Sequence, residues 1–382
     1  LEALNNPISF YNVIKPEINF SEDSNYYAPR VYEKGKAVFD DFVSKNILKQ
    51  DSHESYYVYE LTMGNHTQTG LVGCCSIDDY FNNTIKKHEL TRPDKEEDRK
   101  NHVRYSALNY EAVFLSYPQV TGIDQLVNIT KKEKHLYDFI SDDDIRHRLW
   151  AITNKEILRK ITALFKTKVP KIYIADGHHR TAAGALVGKE FRDSRNGNLD
   201  DKKRDNYFMA VVFPDNQLKI LDYNRVVKDL NGFTKNELIQ SLKNKFDVVT
   251  CATQYRPESL HTFGMYLEGQ WYKLSSLPDS YDDSDPIGQL DVTILSKNVL
   301  EPIFDIIDLR KDIRIDFVGG MRGLSELEKR VDSGDMKVAF SMYPVSMTQL
   351  INISDNDLLM PPKVTWFEPK LRSGLFIHDL TD

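Results

Sequence analysis

The sequence predicts an α+β (mixed α/β) fold, and three stretches of the chain support this prediction. Near the N-terminus, strand-like YYVYELTM (residues 56–63) and TGLVGCCSI (residues 69–77) flank Gly64-Asn65-His66, a turn typical of a hairpin. In the middle of the chain, strand-like KIYIA runs through a glycine into an alanine-rich segment of helical character. Toward the C-terminus, RIDFVGG, a helix from Leu324 and KVAFSMYP suggest a strand-helix-strand unit. Because strands and helices alternate, a mixed α/β protein is favoured.

Changes in composition along the chain predict three regions. Residues 1–120 form a β-rich region that includes the charged helical segment IKKHELTRPDKEEDRKNHVRY. Residues 121–230 form a core with a helix ending near Lys168 and the strands NYFMAVVFP and QLKILDYNRVV. The polar FRDSRNGNLDDKKRDN ahead of these strands predicts a mobile loop. Residues 231–382 form an α/β region, in which Thr234 is predicted to be an N-cap with Glu237 closing a capping box.

Bulk composition excludes several classes of protein. The chain of 382 residues has a net charge of −7, so we expect no nucleic-acid partner. No apolar run approaches the roughly 20 residues of a membrane helix, and no secretory signal opens the chain. We therefore expect a cytoplasmic protein without a membrane partner. The chain begins at Leu1 rather than Met, which leaves a preceding native segment open.

The stretch KIYIADGHHRTAAGALVGKE (residues 171–190) has the character of a phosphate-binding turn. Gly177 can adopt a positive φ, and the amides after it open a helix at the positive end of its dipole. Such a site is best suited to phosphate, and Arg180 adds a planar fork of donors that matches phosphate oxygens. The predicted phosphate-binding residues are Gly177, His178, His179, Arg180 and Thr181.

Asp176 is unexpected in a phosphate-binding stretch, because its negative carboxylate would repel a negative phosphate. Its presence is explained if Mg²⁺ lies between the two groups, or if the acid orients a substrate hydroxyl. Two other interpretations stay open. Asp176 could be an N-cap among surface-packed polar residues, or Asp176, His178 and His179 could bind a catalytic metal. The metal interpretation is weakened because adjacent histidines seldom converge on one ion.

A second cluster, residues 88–92 (HELTR), is predicted to lie near the 176–180 stretch. Asp176, at a helix N-terminus and near cations, should have a lowered pKa and be a poor base. A carboxylate from elsewhere is therefore attractive for a substrate hydroxyl, and Glu89 is the candidate. The alternative is a solvated charged helix, which fits residues 95–100 well. The candidate catalytic residues are Asp176, Glu89 and His179, with His88, Thr91 and Arg92 as further site candidates.

Several long strings identify a family. The run A-D-G-H-H-R, the N-terminal NPISFYNVIKPEI, QTGLVGCCSIDDY and the tail MPPKVTWFEPKLRSG resemble the bacterial and archaeal family DUF-1015 over nearly the whole chain. The central motif also resembles the G-x-x-R phosphate loop of the ParB and sulfiredoxin superfamily. Members of that superfamily bind nucleoside triphosphates at this loop, and some phosphorylate free serine. The resemblance implies a central ParB/sulfiredoxin-like nucleotide-binding core.

By this resemblance, residues 177–180 would hold the phosphates of ATP, and Asp176 would serve Mg²⁺ or the serine hydroxyl. Sulfiredoxins place a reactive cysteine where this chain has His178, so sulfinic acid reduction is not expected. The expected activity is ATP-dependent phosphorylation of a small-molecule hydroxyl, L-serine to O-phosphoserine first, with ATP and Mg²⁺ as cofactors. The expected partners are nucleotide and small-molecule substrate, and a homodimer stays open.

Two other functions stay open. A ParB-like partition or regulatory protein would bind nucleotide without phosphorylating a small molecule. It would call for a helix-turn-helix and a basic face, and neither is evident in this acidic chain. A metal-dependent hydrolase would use the histidines as ligands.

Overall fold

The structure, a computed structural model, describes residues 3–195 and 203–381. The chain divides into two compact units: the first unit is Leu1–Gln217 with Pro369–Asp382, and the second unit is Leu218–Glu368. The predicted boundary at residue 120 falls inside the first unit, and the one at residue 230 falls inside the second. Of the segment 191–206, predicted to be a mobile loop, residues 196–202 lie outside the described residues, and the first four residues continue a helix instead.

The strands of the described residues lie in four sheets. In chain order they are β1 (Tyr56–Met63), β2 (His66–Ser76), β3 (Ile85–Lys86), β4 (Leu108–Asn109), β5 (Val113–Tyr117), β6 (Tyr137–Ile140), β7 (Ile145–Ile152), β8 (Ile172–Asp176), β9 (Tyr207–Pro214), β10 (Lys219–Ile220), β11 (Tyr223–Val227), β12 (Phe246–Cys251), β13 (Thr262–Leu267), β14 (Gln270–Ser276), β15 (Ile315–Gly319), β16 (Val338–Ser341), β17 (Phe367–Glu368) and β18 (His378–Asp379).

The α-helices alternate with these strands. In chain order they are α1 (Tyr11–Ile14), α2 (Pro29–Ser44), α3 (Ile77–Phe81), α4 (Pro93–Ser106), α5 (Thr121–Thr130), α6 (Lys155–Lys168), α7 (His178–Ser194), α8 (Lys235–Leu242), α9 (Asp291–Leu295), α10 (Leu324–Asp332) and α11 (Met347–Asp355). The prediction of an α+β (mixed α/β) fold is confirmed. Within the described ranges, no helix combines the length and the apolar character needed to cross a bilayer.

The first unit is built on a mixed eight-stranded sheet, in the order β3-β8-β5-β9-β2-β1-β7-β6. The predicted hairpin is confirmed: β1 and β2 pair in antiparallel fashion, and Gly64 in the turn between them has a φ of 56°. β1 also pairs with β7, and β2 with β9. Strands from before and after residue 120 therefore belong to one sheet.

Small residues bring α7 close to this sheet. Its buried residues include Ala182, Ala183, Gly184 and Ala185. A Cβ added at Gly184 would lie 2.9 Å from Cβ of Phe208 on β9, so a larger residue would push the helix away. Because close packing resists displacement, this contact fixes where the N-terminus of α7 lies.

The second unit contains a six-stranded antiparallel sheet, in the order β12-β14-β13-β16-β11-β15. The predicted strand-helix-strand unit is confirmed as β15, α10 and β16, with β11 between the two strands. The capping box of Thr234 and Glu237 is also confirmed. The prediction of one strand over 217–227 is wrong: β10 pairs with β17, whereas β11 pairs with β15 and β16, so the chain changes sheets between them.

Candidate functional site

The turn between β8 and α7 requires a glycine. Gly177 is the N-cap of α7 and has φ 92° and ψ 36°, in the left-handed region that side chains disfavour. A Cβ at this position would also lie 3.0 Å from both Nε and Nη2 of Arg180. Gly177 therefore lies at a strand-to-helix turn, as the sequence predicts, and its missing side chain leaves room for a guanidinium.

The N-terminus of α7 offers backbone donors to an anion. The helix is 17 residues long, and no side chain caps its first turn. The first N–H groups of a helix have no acceptor within the helix, and they lie at the positive end of its dipole. The Thr181 hydroxyl, predicted to bind phosphate, instead donates to the Gly177 carbonyl at 3.0 Å and is fully buried. Its bond inside the first turn keeps it from facing a ligand.

Arg180 lies over this turn in a fixed orientation. Its Nη1 donates to the Ala112 carbonyl at 3.2 Å, and its Nη2 lies 3.8 Å from Oδ2 of Asp176. The side chain is 26% exposed and lines a cavity with about 470 Å³ of empty space, the open mouth included. Arg99, His102 and Glu111 line the same cavity. Arg180 thus lies at the N-terminus of α7 and also lines a cavity whose wall contains charged residues.

Asp176 is held as a carboxylate by the cations around it. Lys370, from the C-terminal tail, donates to Oδ2 at 3.2 Å. Burial raises the pKa of Asp176, but the charges of Lys370 and Arg180 and the Gly177 N–H together bring that pKa below its usual value. A carboxylate of this kind is a poor base but can hold a cation or position a donor. Lys370 and Asp176 are 194 residues apart in the chain, so only the tertiary structure shows that they pair.

The predicted second cluster does lie beside the first. β3 and β8 pair in parallel, with Ile85 opposite Ile172, so residues that follow β3 lie next to residues that follow β8. The backbone N–H of His88 donates to Nε2 of His178 at 3.5 Å, and the two rings meet edge to face with centroids 4.4 Å apart. The sheet register thus unites clusters that are 90 residues apart in the chain.

The rings of His88 and His178 are buried in the protein, whereas the sequence predicted His178 to bind phosphate and His88 to belong to the site. Only 2% of His88 and 6% of His178 is exposed. Burial lowers the pKa of His88 to about 4 and that of His178 well below its usual value. Both imidazoles are therefore neutral near pH 7 and pack inside the protein. The predicted phosphate contact of His178 can only come from its backbone N–H, not from its ring.

His179 and the segment after His88 form the rim of the site. Nε2 of His179 accepts the backbone N–H of Arg92 at 2.9 Å, so the neutral ring carries its proton on Nδ1. Glu89 is half-buried and lies in sequence between the two residues that bond to the start of α7. Thr91 donates to Glu96 at 2.6 Å, and the guanidinium of Arg92 donates to Asp94 at 2.9 Å. The side chains of Thr91 and Arg92 therefore bond to α4.

The geometry does not favour the interpretation of a catalytic metal on the histidines. Nε2 of His178 and Nε2 of His179 both accept backbone N–H groups, which occupies the lone pairs that a metal would need. Across residues 3–195 and 203–381, no group of three or more His, Cys, Asp or Glu is arranged to hold a metal ion. Mg²⁺ has other requirements: one or two carboxylates together with substrate phosphates suffice. The carboxylate of Asp176, 38% exposed, fits this requirement.

Several solved structures are similar to this chain at low identity. A free serine kinase in complex with AMP is 12% identical, with 78% of this chain and 86% of that chain covered and a TM-score of 0.37. A conserved hypothetical protein from Pyrococcus furiosus is 13% identical, with 81% and 95% covered and a TM-score of 0.39. Truncated SbnI from Staphylococcus aureus is 12% identical, with 79% and 84% covered and a TM-score of 0.34. No curated protein matches the chain.

A family match covers most of the sequence. The family described as "Protein of unknown function (DUF1015)" matches residues 2–293. This span includes the turn at Gly177, the segment of residues 88–92 and residues 2–217 of the first unit. The chain therefore belongs to the DUF1015 family.

Proposed function

We propose that the first unit binds ATP at the N-terminus of α7 and transfers its γ-phosphoryl group to the hydroxyl of a small molecule, L-serine being the first candidate. One observation carries this proposal. The left-handed Gly177 starts a long helix without a side-chain cap, and the Arg180 guanidinium lies directly over that glycine. Backbone donors and a fork of N–H groups are thus available to the same phosphate.

Phosphate binding would use groups that are already in position. The bond from Arg180 to the Ala112 carbonyl fixes the guanidinium before a ligand arrives. Lys370 and Arg99 add positive charge near Asp176 and in the adjoining cavity. Because phosphoryl transfer proceeds through a loose transition state, positioning and charge stabilisation supply most of the catalysis. The arrangement therefore suits the chemistry that we propose.

Asp176 would be the metal-binding residue of the site. Its carboxylate would hold Mg²⁺ with help from the nucleotide phosphates, after Lys370 moves from Asp176 to a phosphate oxygen. When bound, Mg²⁺ neutralises charge on the phosphate oxygens. The lowered pKa of Asp176 keeps the carboxylate charged for this task.

The acceptor would lie in the cavity beside Arg180. Arg99 and Glu111 line its wall, and the Ser373 hydroxyl donates to Glu111 at 2.8 Å, which fixes that carboxylate. A cation and an anion in one cavity match the carboxylate and the ammonium of a free amino acid. Glu89 stays the proposed base for the hydroxyl, with His179 as the other proposed catalytic side chain. The bonds at His88 and Arg92 hold their segment at the start of α7.

Incubation with ATP, Mg²⁺ and a panel of amino acids, followed by mass spectrometry, tests the proposal. We expect phosphoserine from the wild type, none from Arg180→Ala, and wild-type amounts from Arg146→Ala. Arg146, on β7, is a matched control, because it pairs at 2.7 Å with Asp138 on β6. ATP binding without any phosphorylated product would contradict the kinase activity and favour a nucleotide-binding regulatory protein. Absence of ATP binding would contradict the phosphate site as well.

A further inference from the structure

The second unit contains a cavity that the proposed kinase reaction does not use. Its empty space is about 320 Å³, the open mouth included. Most of its lining is apolar, including Leu260, Val292, Met342 and Val345. The basic side chain of Arg225 and the acidic side chain of Asp291 also line it. Both are buried, so each calls for a physical explanation.

Arg225 is a buried cation without a carboxylate partner. It lies on β11, opposite Phe317 on β15 and Phe340 on β16, and is 1% exposed. Its guanidinium lies 5.4 Å from the centre of the Phe317 ring and donates to the carbonyls of Tyr223 and, at 2.9 Å, Lys363.

The charge of Arg225 is not neutralised by these contacts. Among the described residues, the guanidinium has two carbonyl acceptors and no ion-pair partner. Burial lowers the pKa of Arg225 to about 10, which leaves it charged near pH 7. Because buried arginines are almost always paired with an acid, an anion from outside the chain would complete this environment.

Asp291 presents a carboxyl group to the same cavity, and burial raises its pKa to about 7, so a nearby cation would favour its charged form. It is the first residue of α9 and is 5% exposed. Its Oδ1 accepts the backbone N–H of His261 at 2.8 Å, whereas its Oδ2 has no hydrogen-bond partner in the described part of the chain. A buried carboxylate oxygen without a donor is costly, so a donor from a ligand would stabilise it.

We propose that this cavity binds a free α-amino acid with a small or apolar side chain, its carboxylate on Arg225 and its ammonium on Asp291. The two residues are not paired with each other, so one zwitterion can satisfy both. A simple anion would satisfy only Arg225, and an amine only Asp291. The apolar walls would take up the ligand side chain. All of these residues belong to the second unit, so the proposal is independent of the kinase proposal.

Nuclear magnetic resonance of the full chain with ¹³C-methyl methionine provides a site-specific test. Met342 lines the cavity and is 1% exposed, and its signal among the eight methionines is assigned with Met342→Leu. L-valine should shift this signal in a saturable manner. L-valinamide, which lacks the carboxylate, and N-acetyl-L-valine, which lacks the ammonium, should each bind at least about tenfold more weakly, the loss expected for one charged contact. Arg180→Ala, altered only at the phosphate site, should keep the L-valine shift.

Variants of the two charged residues complete the test. Asp291→Asn keeps the shape of the side chain and should weaken L-valine binding at least about tenfold. Asp316→Asn is the matched control, since Asp316 is 52% exposed and pairs with Arg330. Arg225→Met should abolish binding; if that variant does not fold, Asp291→Asn and the two valine analogues still decide the matter. The proposal is overturned if alanine, valine and leucine all leave Met342 unshifted, or if N-acetyl-L-valine binds as well as L-valine.

Discussion

The backbone N–H of Arg92 donates a hydrogen bond to Nε2 of His179 at 2.9 Å, across 87 residues of sequence. Together with the bond from His88 to His178, it attaches the segment of residues 88–92 to the first turn of α7. The chain therefore brings a carboxylate-bearing segment to the turn where a phosphate would bind. The proposed division of roles between Asp176 and Glu89 depends on this attachment.

Asp176→Asn should abolish phosphorylation while ATP still binds. The substitution keeps the shape of the side chain and removes the charge that would hold Mg²⁺ or align the hydroxyl. We expect kcat to fall at least about 100-fold, with ATP affinity changed only a few-fold, because the loss is confined to the transition state. Steady-state kinetics and calorimetric titration with ATP measure the two effects. Wild-type turnover in Asp176→Asn would remove Asp176 from the mechanism.

Arg180→Ala should weaken both ATP binding and turnover. The guanidinium would contact phosphate in the ground state as well as in the transition state, so its loss should cost about 2–4 kcal/mol in kcat/KM. Arg180→Lys should restore little, because an ammonium cannot replace the planar fork that also bonds to Ala112. If Arg180→Lys binds ATP as tightly as the wild type, the positive charge alone accounts for ATP binding and the planar guanidinium is not required.

Gly177→Ala should damage the site more than a comparable substitution elsewhere. The alanine would be strained at φ 92°, and its Cβ would push against the Arg180 guanidinium from 3.0 Å. Gly64→Ala is the matched control: its φ is 56°, and nothing lies within 4 Å of the added Cβ. We expect each variant to lose about 1 kcal/mol of unfolding free energy from backbone strain, and Gly177→Ala alone to lose ATP binding. Denaturant titration and calorimetry separate the two outcomes.

Lys370→Met should raise the pKa of Asp176. Lys370 supplies the largest of the interactions that lower this pKa, so burial has more effect once it is gone. A carboxylate with a depressed folded pKa stabilises the protein above its unfolded pKa of about 4 and loses that contribution as the pH falls through its folded pKa. Both side chains are more than a third exposed, so the stability difference at pH 7 should stay below about 1 kcal/mol. Titration of the Asp176 carboxyl by ¹³C resonance measures this pKa in both proteins. An equal value in Lys370→Met and in the wild type would contradict the role of Lys370.

The buried histidines should make the protein sensitive to mild acid. The folded pKa of His88, about 4, lies below the unfolded value of about 6.5, so the unfolded chain takes up a proton first. Stability should therefore fall as the pH drops from about 6.5 toward 4, by up to about 1.4 kcal/mol per pH unit for each such histidine. His88→Gln should flatten this dependence, and His53→Gln, at an exposed position, should not. Urea titrations between pH 7 and pH 5 check the slopes.

Local features of the structure were determined by the sequence alone. The hairpin of β1 and β2, the turn at Gly177 and the capping box at Thr234 each depend on residues within a few positions of one another. Turn geometry and helix capping are short-range interactions, so residue type and spacing are sufficient to predict them. The strand predicted over 217–227 failed for the opposite reason, since its two halves pair with different sheets.

Tertiary structure alone decided which atoms of the site bond to each other and which side chains are charged. The parallel register of β3 with β8 brings His88 to His178, and the return of the C-terminal tail brings Lys370 to Asp176. Burial then made both histidines neutral and turned the Thr181 hydroxyl inward. Arg225 and Asp291 likewise lie buried in one cavity only because the fold of the second unit brings them there. Charge state and partnership depend on the surrounding dielectric and on atoms distant in sequence, and a pattern of residues along the chain contains neither.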